Sequence, residues 1–349
     1  MNSVKIKPEV HKQFTFDLLQ KSKIDPKEAS VIAEIFTWFD LAGRYTQGLW
    51  RLLAYLKRFQ AGLIKSPCAP EFIQKSDTIC IIDGHDGFGY YLGHIAMVHA
   101  IEMSRNYGLG LVGVNHSNHL GGGAYYVELA AKESQIGFAM TNSFPKVAPH
   151  GGISSVLGTN PFAFSAPVEN GQSILIDFST SASAGSMIRK ALEENKNIPE
   201  GLVIDEQGKS ILNPRKASDG TILPFGGAKG FCLGLLVEIL SGVIAGAGIS
   251  HEVGSMYKNF DKPANIGHLF LAIDISKIMP MEEYYSRISK LIKFVKESKL
   301  MKGFDEIHIP GETRWRNMEK QHKEGIQLDA KTVELLTNFA SSIGVPTPW

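Results

Sequence analysis

"GLGLVGVNHSNHLGGGAYY", residues 108–126, decides the fold. Its first six residues match GxGxxG, the glycine pattern of Rossmann dinucleotide-binding folds. In those folds the glycines follow a strand and open a helix, so that pyrophosphate meets the helix N-terminus. Here they follow a helical stretch over 89–106 and lead into "GLVGV", a β-branched run. The order is reversed. Gly108 and Gly110 are therefore expected to end a helix and make the turn after it. A Rossmann dehydrogenase would instead need them on a pyrophosphate.

The second half of the stretch places His116 and His119 three apart, ahead of three glycines and two tyrosines. A metal site is one reading, but no third ligand lies nearby and HExxH is absent. A satisfied structural histidine is another. The third starts from position: the segment is a strand end passing into glycine turns, where α/β sheets bind ligands. A histidine there titrates near neutrality and could hand a proton to a substrate oxygen.

Composition narrows the classes. A chain of 349 residues buries a large core and suits two structural units or one large α/β unit. Thirty-six basic against thirty-five acidic residues leave no nucleic-acid footprint. Cys68, Cys80 and Cys232 are far apart and form no CxxC pair, so neither a disulfide framework nor a cysteine zinc site is expected. A reducing cytoplasm fits, and "MNSVKIKPEVHKQF" lacks the apolar run of a secretory signal. "FCLGLLVEILSGVIAGAGIS", residues 231–250, has the length of a membrane span, but Glu238 and several glycines interrupt it. A helix buried in a large core is the expectation there, with no membrane partner.

Periodicity predicts three helices over 7–62. The first carries Val10, Phe14 and Leu18. The second opens at Asp25 as cap with Pro26 at its first turn. "TQGLWRLLAYLKRFQAGL" puts Leu49, Leu52, Leu53, Leu56 and Phe59 on one stripe, closed by Gly62. From about residue 70, short strands alternate with helices: "TICIID", 89–106, "GLVGV", 123–134, "IGFAMTN", "PFAFSAP" and "SILIDFST". That alternation predicts a layered α/β domain around a central sheet. The tail from about 281 returns to helix. "FGGAKGF", 225–231, precedes the long apolar helix. Bare N–H groups, the helix dipole and Lys229 would suit an anion or cofactor there. A tight turn with a solvated lysine is the other reading.

Together these stretches resemble the malate/L-lactate dehydrogenase family, which is unrelated to the Rossmann lactate dehydrogenases and includes ureidoglycolate dehydrogenase, sulfolactate dehydrogenase and 2,3-diketogulonate reductase. The segments that carry the resemblance are "HSNHLGGGAYY", "IGFAMTNSFPKVAPHGG", "LGTNPFAFSAP", "LIDFSTS", "LPFGGAKGFCLGLLVEILSG", "NIGHLFLAID" and "IPGE", in family order. "TNS" at 141–143 and "YTQG" at 45–48 look nearest to diketogulonate reductase.

The resemblance implies a non-Rossmann α/β fold: a mixed sheet flanked by helices, with a helical region formed from both termini. It divides the chain into an N-terminal helical region (1–70), a cofactor-binding α/β domain (71–280) and a C-terminal helical region (281–349) packing with the first. It implies a homodimer and a metal-free, NAD-dependent oxidoreductase, with NADP possible as cofactor, that interconverts a small-molecule 2-oxo acid and a 2-hydroxy acid. His119 would be the proton donor, with Asn118 orienting the substrate and Arg51 clamping its carboxylate. Thr46 and Gln47 fall in the first motif, and Asn142 and Ser143 form a polar pair. Cofactor contacts would come from Leu175, Ile176, Asp177, Phe178, Ser179, Ala228, Lys229, Gly311, Glu312 and Thr313. Without the resemblance, Arg51 reads as a solvated helix charge and Asp177 as a strand-end cap.

The match breaks in two places. Thr46 and Gln47 stand where the family has serine and histidine, and glutamine cannot exchange a proton near neutral pH. His119 would then carry the proton alone. Gly185–Ser186 replaces a family glycine–lysine. Two alternatives follow: a catalytically degenerate member of the family, and a cyclic imino-acid reductase.

Overall fold

The computed structural model describes residues 2–349 except 170, 184–186, 189, 190, 193, 218 and 258. The Gly185–Ser186 departure lies outside the described residues. In chain order the strands are β1 (Val4–Ile6), β2 (Glu71–Ser76), β3 (Ile79–Asp83), β4 (Leu109–Ser117), β5 (Gln135–Thr141), β6 (Phe162–Ala166), β7 (Ile174–Phe178), β8 (Val203–Ile204), β9 (Thr221–Ile222), β10 (Ile266–Asp274) and β11 (Ile326–Leu328). The helices that frame the site are α1 (Pro8–Lys21), α2 (Pro26–Leu41), α3 (Leu52–Gln60), α4 (Gly89–Tyr107) and α5 (Ala124–Lys132).

Seven strands form the central sheet in the order β2-β3-β4-β10-β5-β6-β7. β3 and β4 are parallel, with α4 between them in the chain, and the other neighbours run antiparallel. This is the mixed, non-Rossmann sheet that the resemblance implies. The glycines of "GLGLVG" do what their order predicts. Gly108 closes α4 in the left-handed region at φ 85°. A Cβ on Gly110 would stand 2.0 Å from the Ala100 carbonyl, so glycine lets β4 pack directly against α4.

Both chain ends join one helical layer. β1 pairs antiparallel with β11, Val4 opposite Leu328. The Phe14 ring meets Trp349 edge-on at 5.2 Å. Buried residues of α1, α2 and the last helix (Leu18, Phe36, Leu336, Ala340) share a single apolar core with Val112 and Phe270 of the sheet. The helix Met281–Lys296 sits elsewhere, with the Tyr284 hydroxyl donating to the Pro167 carbonyl at 3.0 Å.

Four expectations change. On α1, Val10 faces outward at 38% exposure, and His11 takes the inward place beside Phe14. The third helix is shorter than its stripe: two 3₁₀ turns, Tyr45–Gln47 and Leu49–Arg51, precede α3. The cause is Asp40, whose Oδ2 accepts the Leu49 N–H at 2.9 Å and breaks the helical run. β10, the strand between β4 and β5, escaped periodicity because its run is apolar on both faces. Finally, the apolar helix Ala228–Glu238 and the turn after it are not buried all round. Leu235, Leu236, Ile239, Val243 and Ile244 are 41–57% exposed, while Gly234, Val237 and Glu238 face inward. Among the described residues no helix is long and apolar enough to cross a membrane.

Candidate active site

Strand direction gathers the candidate residues. β4 and β5 both run antiparallel to β10, so their ends lie at one edge, with Ser117 opposite Ile266 and Thr141 opposite His268. β7 ends at the same edge, because Phe178 pairs with Phe162 and Phe162 pairs with Met140. The segments carrying His119, Ser143 and Ser179 thus leave the sheet side by side.

His268 ties this edge together. Its Nε2 lies 2.8 Å from Ser117 Oγ and its Nδ1 2.7 Å from Thr141 Oγ1. Complete burial pushes its pKa down to about 3, so it stays neutral. The unfolded chain protonates the same side chain near about pH 6.5. Its contribution to stability is therefore complete above that pH and falls away as pH drops toward about 3. At about 1.4 kcal/mol per pKa unit, acidification from about pH 6.5 to about pH 3 is expected to remove on the order of 5 kcal/mol through His268 alone. Denaturation midpoints for the wild type and His268→Gln, followed from about pH 7 to about pH 4, check this. The variant should lose stability less steeply, and parallel curves would contradict it.

His119 sits just beyond β4. Its Nδ1 lies 2.7 Å from the Tyr55 hydroxyl and accepts the Gly121 N–H at 3.1 Å. Gly121 has φ 87°, and a Cβ there would stand 2.6 Å from the Tyr90 ring, so both conformation and space require glycine. Burial first, then Arg51, then His268 push the His119 pKa well below its ordinary value. Tyr55 lies one helical turn from Arg51 and also meets the Tyr90 hydroxyl at 3.1 Å. Asn118 braces rather than reaches: its Nδ2 donates to the Asp86 and Gly87 carbonyls, and its buried Oδ1 is unpartnered among the described residues. His116 points elsewhere, pairing with Asp83 at the surface at 3.0 Å.

The first motif adjoins this group, the Tyr90 hydroxyl donating to the Gln47 carbonyl at 3.3 Å. Asp40 Oδ2 accepts from Leu49 N and from His11 Nε2, each at 2.9 Å. A Cβ on Gly48 would lie 1.7 Å from Asp40 Oδ1, so the turn passes directly over this carboxylate. Arg51 Nε donates to the Thr46 carbonyl, and Nη1 donates to Tyr257 Oη at 2.5 Å. The amide oxygen Gln47 Oε1 is buried and lacks a partner among the described residues. Ser143 Oγ accepts the Thr159 N–H at 3.0 Å. Asn142 is fully engaged: it donates to the Gly248 carbonyl at 2.7 Å and accepts the Gly267 N–H at 2.9 Å.

The candidate cofactor residues meet around the end of β7. Asp177 pairs with Arg314 at 3.0 Å, and its Oδ2 lies 3.4 Å from where a Gly122 Cβ would stand, which joins this group to the His119 loop. Leu175 gives its N–H to the Pro310 carbonyl and turns its side chain into the core, whereas Ile176 is half-buried and Phe178 exposed. The ring of Phe178 meets Phe225 at 5.7 Å, just before Ala228 and Lys229. Ser179 Oγ lies 2.9 Å from Ser181 Oγ.

Two helices open here on left-handed glycines. Gly311 (φ 105°) precedes Glu312 and Thr313, but Glu312 already brings an anion there, accepting from Ile309 N and from Lys296 Nζ. Gly227 (φ 65°) precedes Ala228 and Lys229, with no acidic residue in the first turn. A cavity of about 450 Å³ lined by His150, Pro224, Gly226 and Gly227 adjoins it. The residues that sequence reasoning missed are Asp40, Tyr55, Tyr257, His268 and Arg314. Only Tyr55 carried a signal, its four-residue spacing from Arg51 on one helix face.

Residues 6–337 match the protein family described as Malate/L-lactate dehydrogenase. The chain is 35% identical over 347 residues to the malate/(S)-sulfolactate dehydrogenase of Methanothermus fervidus, covering 99% of each chain. It is 28% identical over 327 residues to ureidoglycolate dehydrogenase (NAD(+)) of Escherichia coli, covering 93% of each. The crystal structure of malate dehydrogenase from Entamoeba histolytica superposes with a TM-score of 0.94 at 28% identity, covering 99% of this chain and all of that one.

Proposed function

Since the chain belongs to the malate/L-lactate dehydrogenase family and is an oxidoreductase acting between 2-hydroxy and 2-oxo acids, we propose that it uses NAD, with His119 as the proton donor and Arg51 as the carboxylate clamp. The observation that carries this reading is Tyr55, which touches His119 and stands one helical turn from Arg51. An imidazole and a guanidinium that share one neighbour suit the carbonyl and carboxylate of a 2-oxo acid. Tyr257 occupies Arg51 Nη1 and would yield to, or join in holding, the carboxylate. Gln47 would hold a substrate oxygen without exchanging a proton.

The cofactor supplies hydride when bound. The residues around β7 fit it: the bare N–H groups of Ala228 and Lys229 and the lysine charge suit a phosphate, and Lys229 has no carboxylate partner among the described residues. Asp177, Ile176, Phe178, Ser179, Gly311 and Thr313 would frame the rest. Thr46, Asn118 and Ser143 hold the substrate loops.

The uncovered ridge of Leu235, Leu236, Ile239, Val243 and Ile244 supports a homodimer, since monomers rarely leave such contiguous apolar faces in water. Three free thiols accord with a cytoplasmic setting.

Calorimetric titration with NADH and NADPH tests the cofactor assignment. Micromolar binding of NADH, weakened by Lys229→Ala, is the expected result. Failure of both nucleotides to bind would overturn it.

A further inference from the structure

We propose that Tyr55 is a positioning residue that fixes the proton state of His119 and refills Nδ1 as Nε2 gives its proton to the substrate. The inference rests on the reading of His119 as proton donor and adds the route the proton follows.

Hydrogen-bond accounting leads to it. A backbone N–H only donates, so the Gly121 N–H at 3.1 Å requires a lone pair on His119 Nδ1. The Tyr55 hydroxyl, 2.7 Å from the same nitrogen, must then donate as well. The ring proton therefore sits on Nε2, which has no partner among the described residues. His119 waits as a neutral imidazole with Nε2–H toward the substrate. A second ring proton is opposed by burial and by the Arg51 charge. Neutral histidines in such surroundings donate to a carbonyl oxygen without first becoming cationic.

A neutral imidazole that loses Nε2–H alone becomes an imidazolate. Tyr55 prevents this. As hydride from the reduced nicotinamide forms the new C–H bond at the carbonyl carbon, the Nε2–H bond breaks and an O–H bond forms on the substrate oxygen. The Tyr55 O–H bond breaks and Nδ1–H forms. His119 stays neutral throughout, in its other tautomer, and the negative charge rests on the Tyr55 oxygen. The Tyr90 hydroxyl, 3.1 Å away, can turn from the Gln47 carbonyl, to which it donates at 3.3 Å, to donate to that oxygen, and Arg51 attracts the charge. Burial raises the Tyr55 pKa, so the phenolate is short-lived: once product leaves, Nε2 takes a proton from solvent and Nδ1 returns its own to Tyr55, which restores the resting tautomer. Oxidation of the hydroxy acid runs the same path backwards. Tyr55 itself is buried and meets His119 at Nδ1, the ring nitrogen away from Nε2.

Two measurements test this. Nitrogen NMR of the histidine rings, with His119 assigned by its loss in His119→Gln, is expected to show protonated Nε2 and bare Nδ1 at neutral pH. A protonated Nδ1 overturns the proposal, and this readout needs neither turnover nor a folded Tyr55 variant. Proton inventory of kcat in mixed light and heavy water is expected to curve for the wild type, as two protons move together, and to become linear in Tyr55→Phe. That variant should lose roughly 10²-fold in kcat, the low end of proton-transfer contributions, with KM little changed. Unchanged kcat and an unchanged inventory overturn it. A wild type without turnover would defeat the functional reading, while the ring spectrum still decides the role of Tyr55.

Discussion

Replacing His119 by alanine is expected to lower kcat by roughly 10²–10⁴-fold while leaving KM for the 2-oxo acid within a few-fold. Gln47, in the first motif, has no exchangeable proton in this range, so it does not take over as a second acid. The loss would belong to kcat because the role proposed for His119 is at the carbonyl oxygen, where negative charge appears only as hydride arrives. Hydride transfer itself persists in the variant at the rate that positioning alone permits. Cofactor affinity should hold, since the candidate nucleotide contacts lie around β7 and Lys229. Near-normal turnover would remove His119 from the chemistry.

Arg51→Met is expected to do the opposite: KM rises by roughly 10²-fold or more, the consequence of losing about 3 kcal/mol of charge-assisted hydrogen bonding, while kcat at saturation falls less. The carboxylate is charged in substrate and transition state alike, so its clamp contributes nearly uniform binding. Part of the guanidinium also braces the Thr46 carbonyl. Lysine at this position should recover only a fraction, because one ammonium cannot span both contacts. Steady-state kinetics over a wide substrate range separates the two parameters. A fall in kcat with unchanged KM would show that Arg51 serves the reaction rather than the carboxylate.

Much of this was legible in the residues. The reversed order of "GLGLVG" excluded a Rossmann site, and Gly108 and Gly110 end α4 and let β4 approach it. Asp25 caps α2 with Pro26 following, as read from the sequence. β10 was hidden because a strand buried on both faces has no alternation. The run 231–250 reads as a buried helix because apolarity marks what avoids water and does not separate the inward Gly234 and Val237 from the exposed Leu235, Leu236 and Ile239.

The site shows the same division. Motifs name the candidates His119, Arg51 and Lys229. They could not give those that act from behind. Asp40 holds the first motif from another helix, and His268 crosses between two strands before either partner is near in sequence. Tyr257 reaches Arg51 across 206 positions. Such contacts are made by topology, and local pattern carries no trace of them.

The most direct test of the central claim is the oxidation of NADH by the purified protein against a panel of 2-oxo acids, with cyclic imines alongside. Saturable turnover of a 2-oxo acid, lowered by roughly 10²–10⁴-fold in His119→Ala, is the expected result. NADH binding without turnover of any panel member would contradict it, and turnover of cyclic imines alone would move the same site to C=N reduction.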